Sequence, residues 1–142
     1  MTPQERDFGG AKIVLHCEGA LLTYLRDDKS GIPFPGLWDL PGGGREGDET
    51  PQDCALRETF EEFGLTLAKD RITWGRFYPS SLHPKTVNWF YAAQISQNDI
   101  QTISFGDEGQ FWRMMPMQTF ITHPKAVPHL RGQVKDFLTQ EV

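Results

Sequence analysis

The sequence predicts a single domain of mixed α/β structure. Its 142 residues are the length of one ordinary domain and leave little room for a second hydrophobic core. Apolar runs of strand length fill residues 11–17, 21–26, 71–78 and 86–95, whereas residues 50–64 carry strong helix signals. A sheet with helices packed on it is therefore the expected architecture.

The first of these elements form a predicted hairpin. Residues 11–17 (AKIVLHC) and 21–26 (LLTYLR) are apolar, β-branched or aromatic runs, and Glu18-Gly19 between them favours a tight turn. Residues 27–36 follow with charges, glycines and two prolines, which indicates an exposed loop. Residues 38–40 then form a short strand-like bridge into the segment Pro41-Gly42-Gly43-Gly44.

The clearest helix is predicted over residues 50–64. Thr50 is a good N-cap, Pro51 suits the first helical position, and Asp53 stands where the second half of a capping box belongs. Gly64 supplies the stop, because glycine readily adopts the left-handed conformation that ends helices. The helix should therefore be one of the best defined elements of the chain.

The second half of the sequence predicts further strands and a second helix. Strands are expected at residues 71–78 and 86–95, around a loop at 79–85 that holds two prolines. A glycine-flanked loop at 106–109 precedes another short strand at 111–114. Residues 128–139 carry apolar side chains at helical spacing, so a second helix should pack on the sheet.

Charge and cysteine content limit the classes of function. The formal net charge of −5 repels a polyanion unless local basic groups or bound cations reverse the sign, so we expect no long nucleic acid as a partner. Cys17 and Cys54 lie far apart and form no CxxC pair, which fits reduced thiols. The start of the sequence is polar and its apolar runs are strand-sized, so we expect no signal peptide, no membrane span and a cytoplasmic location.

Three carboxylates of the predicted helix are candidates for metal binding. At about 100° per residue, Glu58, Glu61 and Glu62 fall on one narrow face, and Ala55, Leu56, Thr59, Phe60 and Phe63 fall on the opposite one. Their mutual repulsion, and their position near the negative end of the helix dipole, mean that helix stability did not select them. Arg57 offsets part of the repulsion by pairing with Glu61, and a hard divalent cation would offset the rest.

The glycines before the helix are the second half of the candidate site. Gly42, Gly43 and Gly44 have no Cβ, so their backbone can approach a metal or a phosphate closely. Magnesium typically uses a few carboxylates together with substrate phosphates, which this loop and helix would supply. The alternative for each feature alone is an ordinary solvated helix face and an ordinary connecting loop.

The spacing of the whole segment resembles a known motif. From Gly43 the sequence is GGREGDETPQDCALRETFEEFGL, in which Glu49, Arg57-Glu58, Glu61-Glu62 and Gly64 stand at fixed intervals. This resembles the box of the Nudix hydrolase family and its MutT-like members, and the preceding WDLPG resembles the family's lead-in. The departure is Thr59, where the family usually has an aliphatic residue; its hydroxyl can bond to a carbonyl of the preceding turn.

The resemblance implies a three-layer α/β/α sandwich with a mixed β-sheet, spanning residues 1–142. It implies cleavage of a diphosphate linkage, with Mg²⁺, or Mn²⁺ in its place, held mainly by Glu58 and Glu62 and assisted by Glu61. Glu49 would be a supporting carboxylate and Arg57 an orienting catalytic partner. Outside the box, Glu108 resembles a further carboxylate that family members supply as ligand or base, with a surface turn as the alternative. The resemblance thus implies that Glu61, Glu62 and Glu108 are the catalytic carboxylates, and the choice of base between Glu61 and Glu108 stays open.

Substrate contacts are predicted less narrowly. Arg26 stands where MutT-like members have a phosphate-contacting arginine, with Arg45 and Arg76 as rivals, and Gly42 and Gly43 are expected beside the phosphates. Strand aromatics such as Trp38 and Trp89 either stack on a base or belong to the core. No exposed apolar seam can be identified, so no oligomeric state is predicted.

A nucleotide-like small molecule is the expected substrate. The short chain and the early box resemble MutT-like enzymes that act on nucleoside triphosphates, including oxidised dGTP. ADP-ribose and dinucleoside polyphosphates are the alternatives within the same chemistry. A Nudix-like regulatory domain that binds nucleotide without turnover is the alternative class, although such a domain is expected to lose the carboxylates that are present here.

Overall fold

The computed structural model describes residues 1–83 and 85–140, so position 84 in the predicted loop and the last two positions of the predicted domain lie outside the described residues. Helices and strands alternate along the chain. They are α1 (Pro3–Arg6), β1 (Phe8–Cys17), β2 (Ala20–Leu25), β3 (Trp38–Asp39), β4 (Gly42–Gly44), α2 (Pro51–Phe63), β5 (Ile72–Pro79), β6 (Val87–Gln94), α3 (Gln97–Gln101), β7 (Phe111–Pro116), α4 (Met117–Thr122) and α5 (Pro128–Thr139), with a 3₁₀ turn at Lys69–Arg71.

The strands form one mixed sheet with β1 at its centre. The main order is β3-β2-β1-β6-β5, with β4 paired to β1 and β7 paired to β2. The pair β1–β6 is parallel, from Gly10 beside Asn88 to His16 beside Gln94, and the other pairs are antiparallel. The hairpin turn between β1 and β2 has positive φ at Glu18 (50°) and Gly19 (83°), the conformation that two-residue hairpins favour.

Helices cover both faces of the sheet. Phe63 and Cys54 of α2 pack with alternate residues of β1, such as Ile13 and Leu15, on one face. Leu130 and Val134 of α5 pack on the other face, in a cluster that includes Val14, Leu21, Phe90 and Phe120. The period of two along β1 separates these sets, because successive strand side chains point to opposite faces. The predicted three-layer α/β/α sandwich with a mixed sheet is confirmed.

Some element boundaries and one core assignment differ from the sequence prediction. Phe60 was placed on the core face of the helix, but its side chain is 56% exposed. The buried stripe of α2 runs through Cys54, Ala55, Thr59 and Phe63, and at about 100° per residue Phe60 points away from it. The predicted glycine turn at residues 42–44 is instead the strand β4, whose partner lies thirty residues away on β1.

Among the described residues, no helix combines the length and the apolar character needed to cross a membrane.

Candidate active site

Helix α2 begins at the predicted Thr50 cap and ends at the predicted Gly64. The Thr50 side chain accepts a hydrogen bond from the Asp53 N–H at 3.1 Å, and Pro51 occupies the first turn. Gly64 ends the helix with a φ of 68°. The Thr59 hydroxyl donates to the Ala55 carbonyl at 2.8 Å, which satisfies this buried polar group without disturbing the core. The helix therefore presents its glutamates in a fixed frame.

Arg57 is the centre of the ion-pair network on this helix. Its Nε and Nη2 donate to the two oxygens of Glu49 at 3.0 and 2.9 Å, which is a bidentate pair. Nη1 donates to Glu58 at 3.0 Å and to Glu61 at 3.1 Å, and Nη2 also reaches the Gly44 carbonyl at 2.9 Å. Arg57 thus ties the loop before the helix to the helix itself, and its orienting role in catalysis stays a prediction.

Three carboxylates meet around the same guanidinium. One oxygen from each of Glu46, Glu58 and Glu61 lies within 4.8 Å of the others. Arg57 Nη1 is 3.5 Å from Glu46, so the arginine supplies the positive charge of the cluster. Glu46 was not singled out from the sequence, and the signal that identifies it is a carboxylate three residues before Glu49 in the loop that Arg57 organises.

Glu62 occupies a different environment from Glu61, although the two residues are adjacent. Glu61 is exposed, whereas Glu62 is partly buried and its Oε1 accepts a hydrogen bond from the Gly42 N–H at 3.0 Å. Burial, together with the negative charges of Glu58 and Asp39, raises the pKa of Glu62 to about 8, although Lys12 and the Gly42 N–H oppose the shift. Glu62 is therefore a carboxylate whose ionisation the fold alone does not support.

Glu58 shares this property in a milder form. Burial raises the pKa of Glu58 above its usual range, although Arg57 works against the shift. Its carboxylate lies against the glycine strand, since a Cβ on Gly43 would stand 2.7 Å from its Cδ. A Cβ at that distance would force the Glu58 carboxylate to shift, so glycine at position 43 lets the backbone lie directly against Glu58.

Strand β4 brings the glycine backbone between the carboxylates and the centre of the sheet. Gly42 has a φ of 128° and is paired with Lys12 on β1. A Cβ at Gly42 would collide with the Ala11 carbonyl, so a larger residue cannot occupy this strand position. Lys12 Nζ donates to the Gly42 carbonyl at 3.2 Å while Glu62 accepts from the Gly42 N–H, so the protein holds this glycine from both sides.

A buried charge network lies beside β4. Asp39 is 3% exposed and is paired with Lys12 at 3.2 Å and with Arg26 at 2.8 Å. Burial favours the neutral acid, but Lys12, the Leu40 N–H and Arg26 outweigh it and lower the pKa of Asp39. Asp39 is thus a fully compensated buried charge, and neither it nor Lys12 was predicted to take part in the site.

Arg26 lies in this network, next to two cavities. Its Nε donates to the Pro33 carbonyl at 2.9 Å and its Nη1 to Asp39 at 2.8 Å, and it lines a cavity on each side. The rival arginines lie elsewhere. Arg45 stacks on the Phe8 ring at 4.4 Å, and Arg76 is 3.5 Å from Asp136 on α5. Of the three candidate arginines, Arg26 is the one that pairs with Asp39 together with Lys12 and lines a cavity with Gly43.

Glu108 lies on a loop that is attached to the end of α2. The Gly106 N–H donates to the Glu62 carbonyl at 2.8 Å, and the Gly109 N–H donates to the Asp27 side chain at 3.3 Å. Glu108 itself is exposed and lines a cavity that also contains Tyr24 and Arg26. The loop is thus held beside the carboxylate helix, and a catalytic role for Glu108 stays a prediction.

The other candidates lie in different environments. Trp38 is a core residue at 7% exposure. Trp89 stacks on Tyr91 with ring centroids 5.7 Å apart and also lines a cavity with Asn88. Cys54 is buried, and burial raises the pKa of its thiol to about 12, so it stays a neutral thiol at physiological pH.

The residues present fit a hard divalent cation. The donors are carboxylate oxygens, the type of ligand that Mg²⁺ prefers, and three of them come within 4.8 Å of one another. Burial raises the pKa of both Glu58 and Glu62, which is the expected condition of carboxylates that lack part of their compensating charge. A cation would provide that charge. Glu58 and Glu61 are common to the predicted ligand set and the observed cluster, whereas the other predicted ligands, Glu62 and Glu108, lie outside it.

The comparison with known proteins agrees with this geometry. The NUDIX domain model matches residues 10–137. A MutT-like protein of Streptomyces ambofaciens is 40% identical over 72 residues, which cover 51% of this chain and 43% of that protein. An RNA pyrophosphohydrolase of Gluconacetobacter diazotrophicus is 35% identical over 69 residues, which cover 46% and 40%. The chain thus matches less than half of the length of these relatives.

A solved structure extends the likeness over the whole fold. A MutT protein from Methanosarcina mazei Go1 superposes with a TM-score of 0.73 at 18% identity, covering 96% of each chain. The residues that the family model matches include the glycine strand, the carboxylate helix and most of α5. On the match across residues 10–137, this chain belongs to the Nudix family.

Proposed function

We propose that the chain is a metal-dependent pyrophosphohydrolase that cleaves a diphosphate linkage in a nucleoside triphosphate, with Mg²⁺ as the cation and Mn²⁺ as a substitute. The observation that carries the proposal is that two carboxylates of α2 lie against the glycine strand. Glu58 contacts Gly43, and Glu62 accepts a hydrogen bond from the Gly42 N–H. This places metal-binding oxygens and an open backbone side by side, as the hydrolysis of a diphosphate requires.

Glu58 and Glu62 would hold the cation, with Glu61 beside them. A divalent cation there supplies charge neutralisation on the diphosphate oxygens and an activated water. Arg57 keeps Glu49, Glu58 and Glu61 in place through its hydrogen bonds. Because Glu62 also fixes the Gly42 N–H, the same side chain sets the position of the backbone that faces the substrate.

Glu108 is the proposed proton acceptor of this site. The Glu61 carboxylate accepts a hydrogen bond from Arg57, so one of its oxygens is already engaged. No hydrogen bond engages the Glu108 carboxylate within residues 1–83 and 85–140, and its loop is bonded to the last turn of α2. Glu108 is therefore free to take the proton of an attacking water at a carboxylate oxygen.

Arg26 is the proposed phosphate contact. Asp39 and the Pro33 carbonyl fix its guanidinium between the two cavities that it lines. Binding a phosphate there loses less conformational entropy, because the side chain is already ordered.

The two cysteines are buried free thiols, which supports a reducing compartment such as the cytoplasm. Residues 1–142 would act as one catalytic domain.

ADP-ribose and dinucleoside polyphosphates are the alternative substrates of the same site. The test is the release of phosphate, pyrophosphate or nucleoside monophosphate from a panel of nucleoside triphosphates, ADP-ribose and diadenosine tetraphosphate, with Mg²⁺ and with EDTA. We expect metal-dependent hydrolysis that is fastest for a nucleoside triphosphate. Faster cleavage of ADP-ribose would replace the substrate assignment, and nucleotide binding without any turnover would indicate a regulatory domain.

A further inference from the structure

A cleft lies on the α5 face of the sheet, opposite the core that α2 covers. A cavity of about 230 Å³ is lined by Lys12, Gly43, Asn88, Leu130 and Gln133, among others. A neighbouring cavity of about 280 Å³ shares Lys12, Gly43, Asn88 and Leu130 with it. Because the two share these walls, they lie side by side, and we call them together the β6–α5 cleft.

The glycine strand connects this cleft to the carboxylates. Gly43 lines the cleft, and the same residue lies directly against the carboxylate of Glu58. A substrate with its diphosphate at the carboxylates can therefore pass over the glycine backbone and place its remaining part in the cleft. This step rests on the proposed diphosphate hydrolysis.

The polar groups of the cleft indicate what kind of chemical group would occupy it. The side-chain amides of Asn88 and Gln133 and the imidazole of His129 line the first cavity, and none of them makes a hydrogen bond within the described part of the chain. Each amide offers donors and an acceptor, so an occupant with both kinds of group would satisfy them. Burial lowers the pKa of His129, which keeps the imidazole neutral at physiological pH.

Charge excludes a second phosphate from the same position. Among the described lining residues of the first cavity, Lys12 is the one with a permanently charged side chain. Its ammonium already donates to Asp39, the Leu40 carbonyl and the Gly42 carbonyl, at 3.1 to 3.2 Å. All three of its donors are thus in use. Arg26, the proposed phosphate contact, lines the second cavity and not the first, so no free cation of the first cavity faces the amides. The occupant is a neutral group rather than an anion.

The walls favour a flat, partly apolar occupant. Leu82 and Leu130 line both cavities, and the Phe34 ring lies 5.5 Å from the His129 ring at the second cavity. Planar heterocycles pack well against such aliphatic and aromatic surfaces, while their ring edges form hydrogen bonds with amides. A neutral heterocycle with donors and acceptors on its edge is a nucleobase.

The backbone of β1 leaves room for Asn88. The register of β1 against β6 shifts between Phe8 and Gly10, so Gly9 forms an irregularity beside Asn88. A Cβ at Gly9 would stand 3.0 Å from the Asn88 Oδ1, which is tighter than ordinary contacts. Glycine at this bulge therefore keeps the end of the Asn88 side chain accessible from the cleft.

We propose that the β6–α5 cleft binds the nucleobase of the substrate and that Asn88 is the residue that sets the base preference. The amide of Asn88 would pair with a donor and an acceptor on the base edge, with Gln133 completing the hydrogen bonds. Such an amide contact distinguishes the right base from the wrong one by on the order of 5- to 150-fold.

The test compares base preference in the parent with that in Asn88→Asp and Asn88→Leu. The matched control is Asn98→Asp, which makes the same substitution at an exposed residue of α3, away from the cleft. We would measure kcat/KM for nucleoside triphosphates with each of the four bases, and for methyl triphosphate, which has no base. Binding of the four nucleoside monophosphates without metal would be measured by calorimetry.

We expect the ratio between the best and the worst base to change at least tenfold in both Asn88 variants, on the lower part of the range above. Hydrolysis of methyl triphosphate and the thermal midpoint should stay at the parent values, as all readouts should for Asn98→Asp. An unchanged ratio in variants that fold would overturn the inference while leaving the hydrolase assignment intact. If Asn88→Leu does not fold, the Asn88→Asp result decides in the same way.

The binding experiment separates this inference from the proposed function. Binding of a nucleoside monophosphate that weakens at least tenfold in Asn88→Asp supports the cleft, even if the protein hydrolyses no triphosphate. No binding of any of the four at millimolar concentration would overturn the inference, even if a diphosphate is cleaved. The nucleobase cleft and the proposed hydrolase activity can therefore each be refuted without the other.

Discussion

Replacing Glu62 with Gln should stabilise the metal-free protein while it removes activity. Burial raises the pKa of Glu62 from 4.5 to about 8. At pH 7 the unfolded chain ionises this side chain and the folded chain keeps it largely protonated, so the free energy of unfolding is lowered by about 3 kcal/mol. Glutamine has the size of the protonated acid, still accepts from the Gly42 N–H and carries no such penalty.

The sign of the pH dependence follows from the raised pKa. A carboxyl group that is harder to ionise in the folded state is neutral in both states below pH 4.5, and its penalty grows as the pH rises towards 8. At pH 5 the penalty is therefore below about 1 kcal/mol. The advantage of Glu62→Gln should increase from pH 5 to pH 8, in the opposite direction from the pH dependence of an ordinary salt-bridged carboxylate.

The assay is thermal unfolding in EDTA at pH 5, 6, 7 and 8, with Glu61→Gln as the exposed control. At roughly 3 °C per kcal/mol for a chain of this size, Glu62→Gln should gain up to about 9 °C at pH 7, and much less at pH 5. With Mg²⁺ the parent should recover the difference, because the cation binds only the native state, and the variant should not. A variant that is no more stable than the parent in EDTA at pH 7 would refute the reasoning, as would a gain that does not change with pH.

Other perturbations test the remaining parts of the site. Glu108→Gln should lower kcat far more than it raises KM and should flatten the acidic limb of the pH–rate profile; an unchanged profile would assign Glu108 to an ordinary turn. Arg57→Lys should reduce turnover about 10- to 100-fold, because lysine cannot make the bidentate pair with Glu49; parental kinetics would contradict the orienting role. Millimolar Mg²⁺ or Mn²⁺ should raise the thermal midpoint of the parent relative to EDTA, and no shift in an active protein would argue against a preformed site. Asp39→Asn should lower the free energy of unfolding in urea by about 3–5 kcal/mol, and a neutral result would show that the buried pairs contribute little.

The elements with strong local signals could be predicted from the sequence. The strands at 11–26 and the helix at 50–64 were found because alternation, caps and a terminal glycine act within a few residues of one another. The short helices α1, α3 and α4 were missed, since 4 to 6 residues are too few for a helical period. Capping boxes at Thr2 and Ser96 mark the first two of these, and they are the signals that could have identified them.

The site could be predicted as a set of residue types but not as a set of environments. Local spacing identified Glu58, Glu61 and Glu62, yet their different burial depends on β4, which reaches β1 across the sheet. Lys12 and Asp39 were not selected because each stands alone in an apolar run. A single charged residue inside a predicted strand was the available signal, since buried charges are rarely left unpaired.

The two groups of acids in this site differ in what compensates their charge. Lys12, Arg26 and the Leu40 N–H neutralise Asp39, and its pKa is lowered despite complete burial. The bidentate pair with Arg57 lowers the pKa of Glu49 in the same way. These acids are balanced by the protein itself, and their loss should destabilise it.

Glu58 and Glu62 have pKa shifts of the opposite sign to those of Asp39 and Glu49. Burial raises the pKa of both, and the arginine and lysine nearby are already shared with Glu49 and Asp39. The fold supplies three cations, Lys12, Arg26 and Arg57, to its structural acids and leaves the next two acids only partly compensated. A bound cation would supply the remaining positive charge. Because removing those charges should stabilise the metal-free protein, the arrangement is explained by what binds there and not by the stability of the fold.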